Sequence, residues 1–183
     1  MTRTKQLSFL PKMRFDHGGD IGKGKRKERR PFDPKRPLHL VLRSVRAKGE
    51  WSLLHHKNKD RVRDIVYKTA EKEGVKIYSF ANVGNHIHLL IFSKKKRHFQ
   101  KFLRIIAGLI AIIITGATKA NPVGRFWEKL AYSRIVTWGR EYLTLKAYLI
   151  KNLLEASGLW NRKKYPDLGF AFASLREAGI PPP

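Results

Sequence analysis

Alternation of apolar and polar residues indicates three strands in this chain. The stretch PLHLVLRSVR, residues 37–46, alternates with period two after a proline, which a strand tolerates at its start. The segment VKIYSFANV, residues 75–83, alternates again, and Gly84 with Asn85 predicts a turn into a third strand, HIHLLIFS. Strict alternation in the second strand predicts Val75, Ile77 and Ser79 on one side and Tyr78 and Phe80 on the other.

A helical spacing of apolar residues separates the first strand from the second. Asn58 is a candidate N-cap residue, and Gly74 is a suitable stop for the helix. The apolar stripe between them consists of Val62, Ile65, Val66 and Ala70.

Two more helices and one more strand are expected after the third strand. A helix should run from about His98 to Thr115 and end before Gly116. The segment RFWEKLAYSRIVTW, residues 125–138, is rich in aromatic and β-branched residues and favours a strand. A last helix is expected over residues 140–157, with Gly158 as its stop.

The resulting order, β-α-β-β-α-β with an added helix, predicts an α+β fold. It is the order of a ferredoxin-like split βαβ domain, an antiparallel sheet with covering helices. We expect this domain to span residues 37–160, after a basic flexible arm at 1–36 and before a C-terminal tail at 161–183. Because this fold carries many activities, the function must be argued from particular residues.

The charge of the chain favours a polyanionic partner. Its 183 residues include 39 Lys and Arg against 14 Asp and Glu, which gives a net charge of +25. Nucleic acid is the first candidate for such a field, and an anionic membrane surface is the rival. The candidate phosphate contacts are Lys25, Arg26, Lys27, Arg29, Arg30, Arg43 and Arg46.

Other classes of protein are disfavoured by composition. The chain contains no cysteine, which excludes disulfides, thiolate zinc sites and cysteine nucleophiles and points to the cytoplasm. No secretory signal is expected in residues 1–30. The apolar run IIAGLIAIII, residues 105–114, falls short of the ~20 residues that span a bilayer, so a buried helix is expected rather than a membrane segment.

The third strand carries two histidines on one side. His86 and His88 lie two residues apart, so their Cβ atoms should be about 7 Å apart on the same face, within reach of one metal ion. Two ligands are too few for a metal site, so a third group is needed. The alternative is a half-buried strand whose histidines face water.

The last helix offers a nucleophile and an oxygen ligand on one face. Tyr148 and Asn152 are four residues apart; the phenol of Tyr148 can serve in covalent catalysis and the Asn152 amide oxygen can bind Mg²⁺ or Mn²⁺. Tyr142 is six residues from Tyr148 and must project elsewhere. The alternative is an aromatic core residue beside a surface amide.

Three blocks in one order resemble a known family. GNHIHLLIF, FWEKLAYSRIV and AYLIKN, within residues 38–159, resemble the HUH single-tyrosine transposases of small bacterial insertion sequences and their repeat-associated relatives. The chain departs from the usual pattern at Val83–Gly84, where Met-Pro is frequent, and at Leu153–Leu154, where Pro-Val often follows the asparagine.

The resemblance implies the role of each site residue. His86 and His88 would hold Mg²⁺ or Mn²⁺, Asn152 would be the third ligand, and Tyr148 on the C-terminal catalytic helix would be the nucleophile. The reaction would be cleavage and rejoining of single-stranded DNA through a 5′-phosphotyrosine intermediate. The substrate would carry a hairpin at a repeat or element end, in a bacterial cytoplasm near the nucleoid, and a homodimer is a candidate assembly.

Three alternatives remain at this stage. A non-catalytic nucleic-acid-binding protein, such as a domesticated transposase, would keep the basic surface without cutting. A metal-dependent hydrolase would use the histidines with water, although no Asp or Glu lies near the pair in sequence. The third alternative is association with a membrane.

Three aromatic residues are candidates for stacking with the bases of a bound single strand: Phe126, Trp127 and Trp138. The alternative is that these residues belong to the core.

Overall fold

The computed structural model describes residues 15–21 and 28–160. Its strands are β1 (Asp16–His17), β2 (Leu38–Arg43), β3 (Lys76–Asn82), β4 (His86–Phe92) and β5 (Tyr132–Ile135). Its helices are α1 (Lys59–Lys72), α2 (Lys96–Thr115) and α3 (Arg140–Ala156), with a short 3₁₀ turn at Gly49–Trp51.

The strands form one sheet in the order β1-β5-β2-β4-β3, in which every neighbouring pair is antiparallel. Without β1, the order β5-β2-β4-β3 is the strand order of a ferredoxin-like domain. Of these four strands, β3 lies at one edge and β2 lies beside β4. The predicted fold class is therefore confirmed.

Each face of the sheet has its own apolar cluster. On one face, Leu40 and Leu42 of β2 and Ile87 and Leu89 of β4 are buried against α1 and α2. On the other face, a smaller cluster joins the sheet to α3 through Ala81, Leu90, Val136, Leu145 and Leu149. Since burial of one such aliphatic side chain is worth about 1.5–3 kcal/mol, the two clusters fix the helices against both faces.

Helix α2 has the length and composition of a membrane span, and 28% of its most apolar stretch is buried inside the structure. Phe99, Phe102, Ile106, Ile110 and Ile114 recur at helical spacing and are buried against the sheet. Gly116, in the left-handed conformation at φ 66°, ends the helix where the sequence predicted.

A β-bulge overturns the predicted alternation in β3. Ile77 pairs with Ile91 and Ser79 pairs with Leu90, so the register shifts at Tyr78. Ile77 therefore packs on the α1–α2 side, while Tyr78 joins the α3 side and Phe80 returns to the first. A bulge places two residues opposite one, which strict alternation does not anticipate.

Asn58 is the N-cap residue of α1, as predicted, but it does not cap the helix through its side chain. Its side chain makes no capping bond to α1; instead Nδ2 donates to the backbone oxygens of Glu50 (2.7 Å) and Ser52 (2.8 Å). Asn58 thus holds the 3₁₀ turn against the start of the helix.

Part of the predicted flexible arm belongs to the sheet. Asp16 and His17 pair with β5, and the Arg30 guanidinium donates to Ser133 Oγ (2.5 Å) and to the Ala131 carbonyl oxygen (2.8 Å). The strand expected over residues 125–138 is shorter than predicted, since the sheet takes only Tyr132–Ile135.

Candidate active site

The two histidines of β4 lie side by side on the sheet face that α3 covers. Their ring centroids are 4.7 Å apart and the rings are tilted by 75°. Ile87 between them points to the opposite face, where it is fully buried. The period of two predicted from the sequence therefore brings the two imidazoles together.

A third histidine, His39 of β2, completes the cluster. Its ring stacks on that of His88 at 5.4 Å with a tilt of 9°, and His39 Nε2 lies 3.1 Å from His88 Nδ1. Both side chains are buried. His39 was not among the residues predicted from the sequence; the signal was its polar position in an alternating strand that the predicted topology places next to β4.

The Nδ1 atoms of His86 and His88 both lie against a neighbouring polar group, and the Nε2 atom of each ring does not take part in that contact. His86 Nδ1 lies 2.5 Å from Asn85 Oδ1, and His88 Nδ1 is engaged by His39. His88 Nε2 is buried and has no hydrogen-bond partner among the described residues. An Nδ1 held by a neighbouring group is a common feature of histidines that bind a metal through Nε2.

Burial keeps these imidazoles neutral. It lowers the pKa of His88 to about 3, with further lowering from His39 and His86. Burial, followed by the charge of Arg134, lowers the pKa of His39 to about 4. The pKa of His86 is lowered by burial and then by Arg43. Because only a neutral imidazole has a free lone pair, the cluster is in the protonation state that a metal needs.

Tyr148 projects from α3 toward the histidines. Leu145 and Leu149 anchor the helix in the smaller apolar cluster, whereas the Tyr148 side chain remains 47% exposed. Its ring centroid lies 6.0 Å from that of His88, with the rings nearly perpendicular at 87°. The predicted nucleophile thus lies beside the predicted metal ligands and is open to solvent.

Asn152 lies one helical turn after Tyr148 and is half-buried. The structure shows no hydrogen bond between Asn152 and either His86 or His88. Over residues 15–21 and 28–160, no group of three or more His, Cys, Asp or Glu side chains is placed to hold a metal ion. The structure therefore brings two of the three predicted ligands, His86 and His88, together, and the metal site stays a prediction.

The other two tyrosines of this region have packing contacts. Tyr142 lies against Trp138 (5.0 Å) and Tyr78 (5.6 Å), and burial raises its pKa. Tyr132 lies edge-on to His39 at 6.1 Å, and burial raises its pKa as well. Of these three tyrosines, Tyr148 is the one whose ring contacts His88.

The predicted phosphate contacts divide into three groups. Lys25, Arg26 and Lys27 lie outside the described residues. Arg29 and Arg43 are exposed, and Arg43 lies opposite His86 in the sheet and 3.5 Å from a carboxylate oxygen of Glu128.

Arg30 and Arg46 have internal roles. Arg30 bonds Ser133 and Ala131, and its burial lowers its pKa. Arg46 donates to the Val123 (2.8 Å) and Arg125 (3.2 Å) carbonyl oxygens and stacks over Trp51.

The three candidate stacking residues are in different surroundings. Phe126 is buried in the core on the α1–α2 side, and Trp127 is half-buried with its Nε1 donating to the Ala107 carbonyl oxygen (2.8 Å). Trp138 is 44% exposed on the opposite side and packs on Tyr142. Phe126 is thus a core residue, whereas both tryptophans keep surface that a base could contact.

Comparison with known proteins points to one family. The family described as "Transposase IS200 like" matches residues 37–152, which include the histidine pair, Tyr148 and Asn152. A search of curated proteins finds no match. Among solved structures, the fold is similar to that of a REP-associated tyrosine transposase bound to a REP hairpin, with a TM-score of 0.52 and 10% identity over 71% of this chain and 73% of that one. A putative transposase from Deinococcus radiodurans R1 is 18% identical over 70% of this chain and 98% of that one, with a TM-score of 0.43.

Proposed function

The chain belongs to the IS200-like transposase family, and from this premise we propose that it cleaves and rejoins single-stranded DNA with Tyr148 as the nucleophile. The observation that carries the proposal is the position of the Tyr148 ring, 6.0 Å from His88, whose Nε2 is buried and lacks a partner. A nucleophile and a candidate metal ligand therefore face the same space above the sheet.

The reaction follows from the chemistry of a phenol at a phosphodiester. The Tyr148 oxygen attacks phosphorus in line with the departing 3′ oxygen, and the P–O3′ bond breaks as the O–P bond forms. The phenol loses its proton and the 3′ oxygen gains one. The products are a 5′-phosphotyrosine and a free 3′-hydroxyl, so the energy of the phosphodiester is retained for rejoining to a second strand.

His86 and His88 would hold Mg²⁺ or Mn²⁺ through their Nε2 atoms, with the Asn152 amide oxygen as a third ligand. When bound, such an ion polarises a non-bridging oxygen of the scissile phosphate and orients it. His39 and Asn85 fix the two imidazoles from behind through their Nδ1 atoms. The exposed face of Tyr148 leaves room for the strand to approach.

A single nucleophile on one site cuts one strand at a time, which favours single-stranded DNA as the substrate. The net charge of +25 supplies sequence-independent attraction to phosphates. The structurally similar REP-associated transposase was solved with a REP hairpin. We propose that this chain also takes a hairpin-bearing DNA end.

A matched pair of tyrosine variants tests the proposal. Tyr148→Phe removes one exposed oxygen and little volume, so folding and DNA binding should survive while the covalent protein–DNA adduct disappears. Tyr142→Phe, on the same helix but packed against Trp138 and Tyr78, should keep adduct formation. The assay incubates each variant with labelled hairpin-bearing single-stranded DNA and Mg²⁺ and separates adducts on a denaturing gel.

Two results would overturn the assignment. One is an adduct formed by Tyr148→Phe at the wild-type level; the other is a trapped peptide that carries the DNA on Tyr142 or Tyr132. If the wild type itself binds the DNA with or without Mg²⁺ but forms no adduct, the chain is a non-catalytic binding protein.

A further inference from the structure

A basic groove lies on the face of the sheet opposite the histidines. It has a volume of about 770 Å³ and runs between the N-terminal half of α2 and the segment at residues 125–131 that precedes β5. Leu42 at its base belongs to the apolar cluster on the α1–α2 side. The strands of the sheet therefore separate this groove from Tyr148.

Six cationic side chains line the groove, and no Asp or Glu is among its lining residues. On α2, Arg97, Lys101 and Arg104 follow the spacing i, i+4, i+7, which places them on one side of the helix. Arg125 approaches from the other wall, and Arg30 and Lys129 complete the set. Such a concentration of one sign of charge in a concave site attracts anions.

Three of these six cations are available to a ligand. Lys101 pairs with the buried carboxylate of Glu73 (2.8 Å), Lys129 pairs with Asp20, and Arg30 bonds Ser133 and Ala131. The side chains of Arg97, Arg104 and Arg125 are exposed, and none of them has an ion pair or hydrogen bond with another described residue. The groove thus contains three uncompensated guanidinium groups.

The walls between these arginines are apolar. Leu103 and Ala107 of α2 face Trp127, whose indole is held in place by its bond to the Ala107 carbonyl oxygen. A fixed aromatic ring beside aliphatic side chains is suited to a flat apolar group such as a nucleobase. A simple anion would use the arginines but leave this surface uncovered.

We infer that this groove binds an unpaired nucleotide of single-stranded DNA. Its base lies against Trp127 and Leu103, and the adjoining phosphates contact Arg97, Arg104 and Arg125. The inference rests on the proposed function for the choice of DNA as the polyanion. It adds a second contact region, on the face of the protein away from the chemistry.

The test compares two triple variants that each remove three positive charges. In the groove variant, Arg97, Arg104 and Arg125 are replaced by Gln; in the control, Lys57, Lys59 and Arg61, which are exposed and outside the groove, are replaced by Gln. Fluorescence anisotropy without metal measures single-strand affinity between about 50 and 200 mM salt. Loss of three phosphate contacts should reduce the log–log salt slope by about 2 in the groove variant and by much less in the control.

A crosslinking experiment locates the base. An oligonucleotide that carries 5-iodouracil should form its photoadduct on Trp127, as identified by mass spectrometry of the peptides. Adducts only on Trp138 or Tyr142, which lie on the α3 side, would overturn the inference, as would equal affinities and salt slopes for the two triple variants. An equal loss of affinity for a fully paired duplex would contradict the unpaired nucleotide.

The test of the groove can be distinguished from the test of the proposed Tyr148 chemistry. At saturating DNA the groove variant should form the Tyr148 adduct at the wild-type rate, while the DNA concentration for half-maximal adduct rises. Should the wild type form no adduct, the proposed chemistry fails, and the anisotropy and crosslinking still decide the groove.

Discussion

The stacked ring of His39 holds the orientation of a neighbouring histidine, His88. His39 Nε2 lies 3.1 Å from His88 Nδ1, and the rings are almost parallel. Since His88 is buried, its Nδ1 has no access to water as a replacement partner. Loss of the His39 nitrogen should therefore leave His88 free to turn its Nε2 away from His86.

We predict that His39→Phe weakens Mn²⁺ binding by about 10–100-fold, the usual effect of removing a partner that orients a metal ligand. Phenylalanine keeps the stacked ring but has no nitrogen for His88. His39→Gln, which retains a hydrogen-bonding group, should restore part of the affinity. Calorimetric titration of the DNA-free protein measures the effect, and His86→Ala with His88→Ala gives the baseline without a site.

Equal Mn²⁺ affinity in wild type and His39→Phe would show that His39 only packs. Urea denaturation of each variant should accompany the titrations, so that partial unfolding is not mistaken for a lost metal site.

At the residue scale, the sequence was informative about groups whose spacing follows from one element. His86 with His88 and Tyr148 with Asn152 each share a face because strand and helix periods require it. His39 was missed because its role depends on which strand lies beside β4 and in which register. The internal bonds of Arg30 and Arg46 depend on contacts with residues far along the chain, which charge and spacing do not reveal.

At the element scale, the bonds of Arg30 tie the N-terminal segment to the sheet. Its guanidinium donates to the buried Ser133 Oγ in β5 and to the carbonyl oxygen of Ala131, the residue just before β5. Nearby, Phe32 stacks on Phe99 of α2 at 6.1 Å, and β1 pairs with β5. The segment before β2 thus contributes to the fold.

We predict that Arg30→Ala lowers the free energy of unfolding by about 1–3 kcal/mol, because it leaves the buried Ser133 hydroxyl and a carbonyl without their donor. Arg29→Ala removes the same charge from the exposed neighbouring position and should change the free energy of unfolding by less than about 0.5 kcal/mol. Urea denaturation at neutral pH compares the two. Equal stability of the two variants would mean that the bonds of Arg30 contribute nothing net.

Element order and most boundaries followed from the sequence, while local exceptions did not. Gly74, Gly116 and Gly158 lie where the predicted helices stop, because a left-handed residue ends a helix cheaply when it is glycine. The bulge at Tyr78 shifts the register of β3 against β4, a local departure that residue types and alternation do not reveal. The residue type of Asn58 suggested a side-chain bond to the start of α1. Its amide instead donates to carbonyl oxygens of the nearby 3₁₀ turn.

At the scale of the whole molecule, the neutral histidine cluster makes stability depend on pH. His39 and His88 have a pKa of about 4 and about 3 in the folded protein, against 6.5 without the effect of the fold. The unfolded chain therefore binds more protons than the folded one between these values. The contribution of the cluster is fully present above about pH 6.5 and is lost as the pH falls toward 4.

We predict that the urea midpoint falls between about pH 6.5 and 4 in metal-free buffer and that His39→Phe makes this fall shallower, since one buried titrating group is gone. His56→Gln, which removes an exposed histidine outside the cluster, is the control variant. Carboxylates also titrate in this range, so the difference between variants is the quantity to compare. A His39→Phe curve parallel to the wild type would show that His39 does not resist protonation.

The single layer of strands between the Tyr148 side and the α2 groove has an evolutionary consequence. Each face has its own apolar cluster, so substitutions on one face leave the side chains of the other in place. If the groove and Tyr148 act as proposed, a descendant protein without the Tyr148 hydroxyl would still bind DNA. A descendant without the groove arginines would still have the reactive phenol of Tyr148. DNA binding and strand cleavage can therefore be lost or kept independently during evolution. A transposase that loses only cleavage would become a DNA-binding protein of its host.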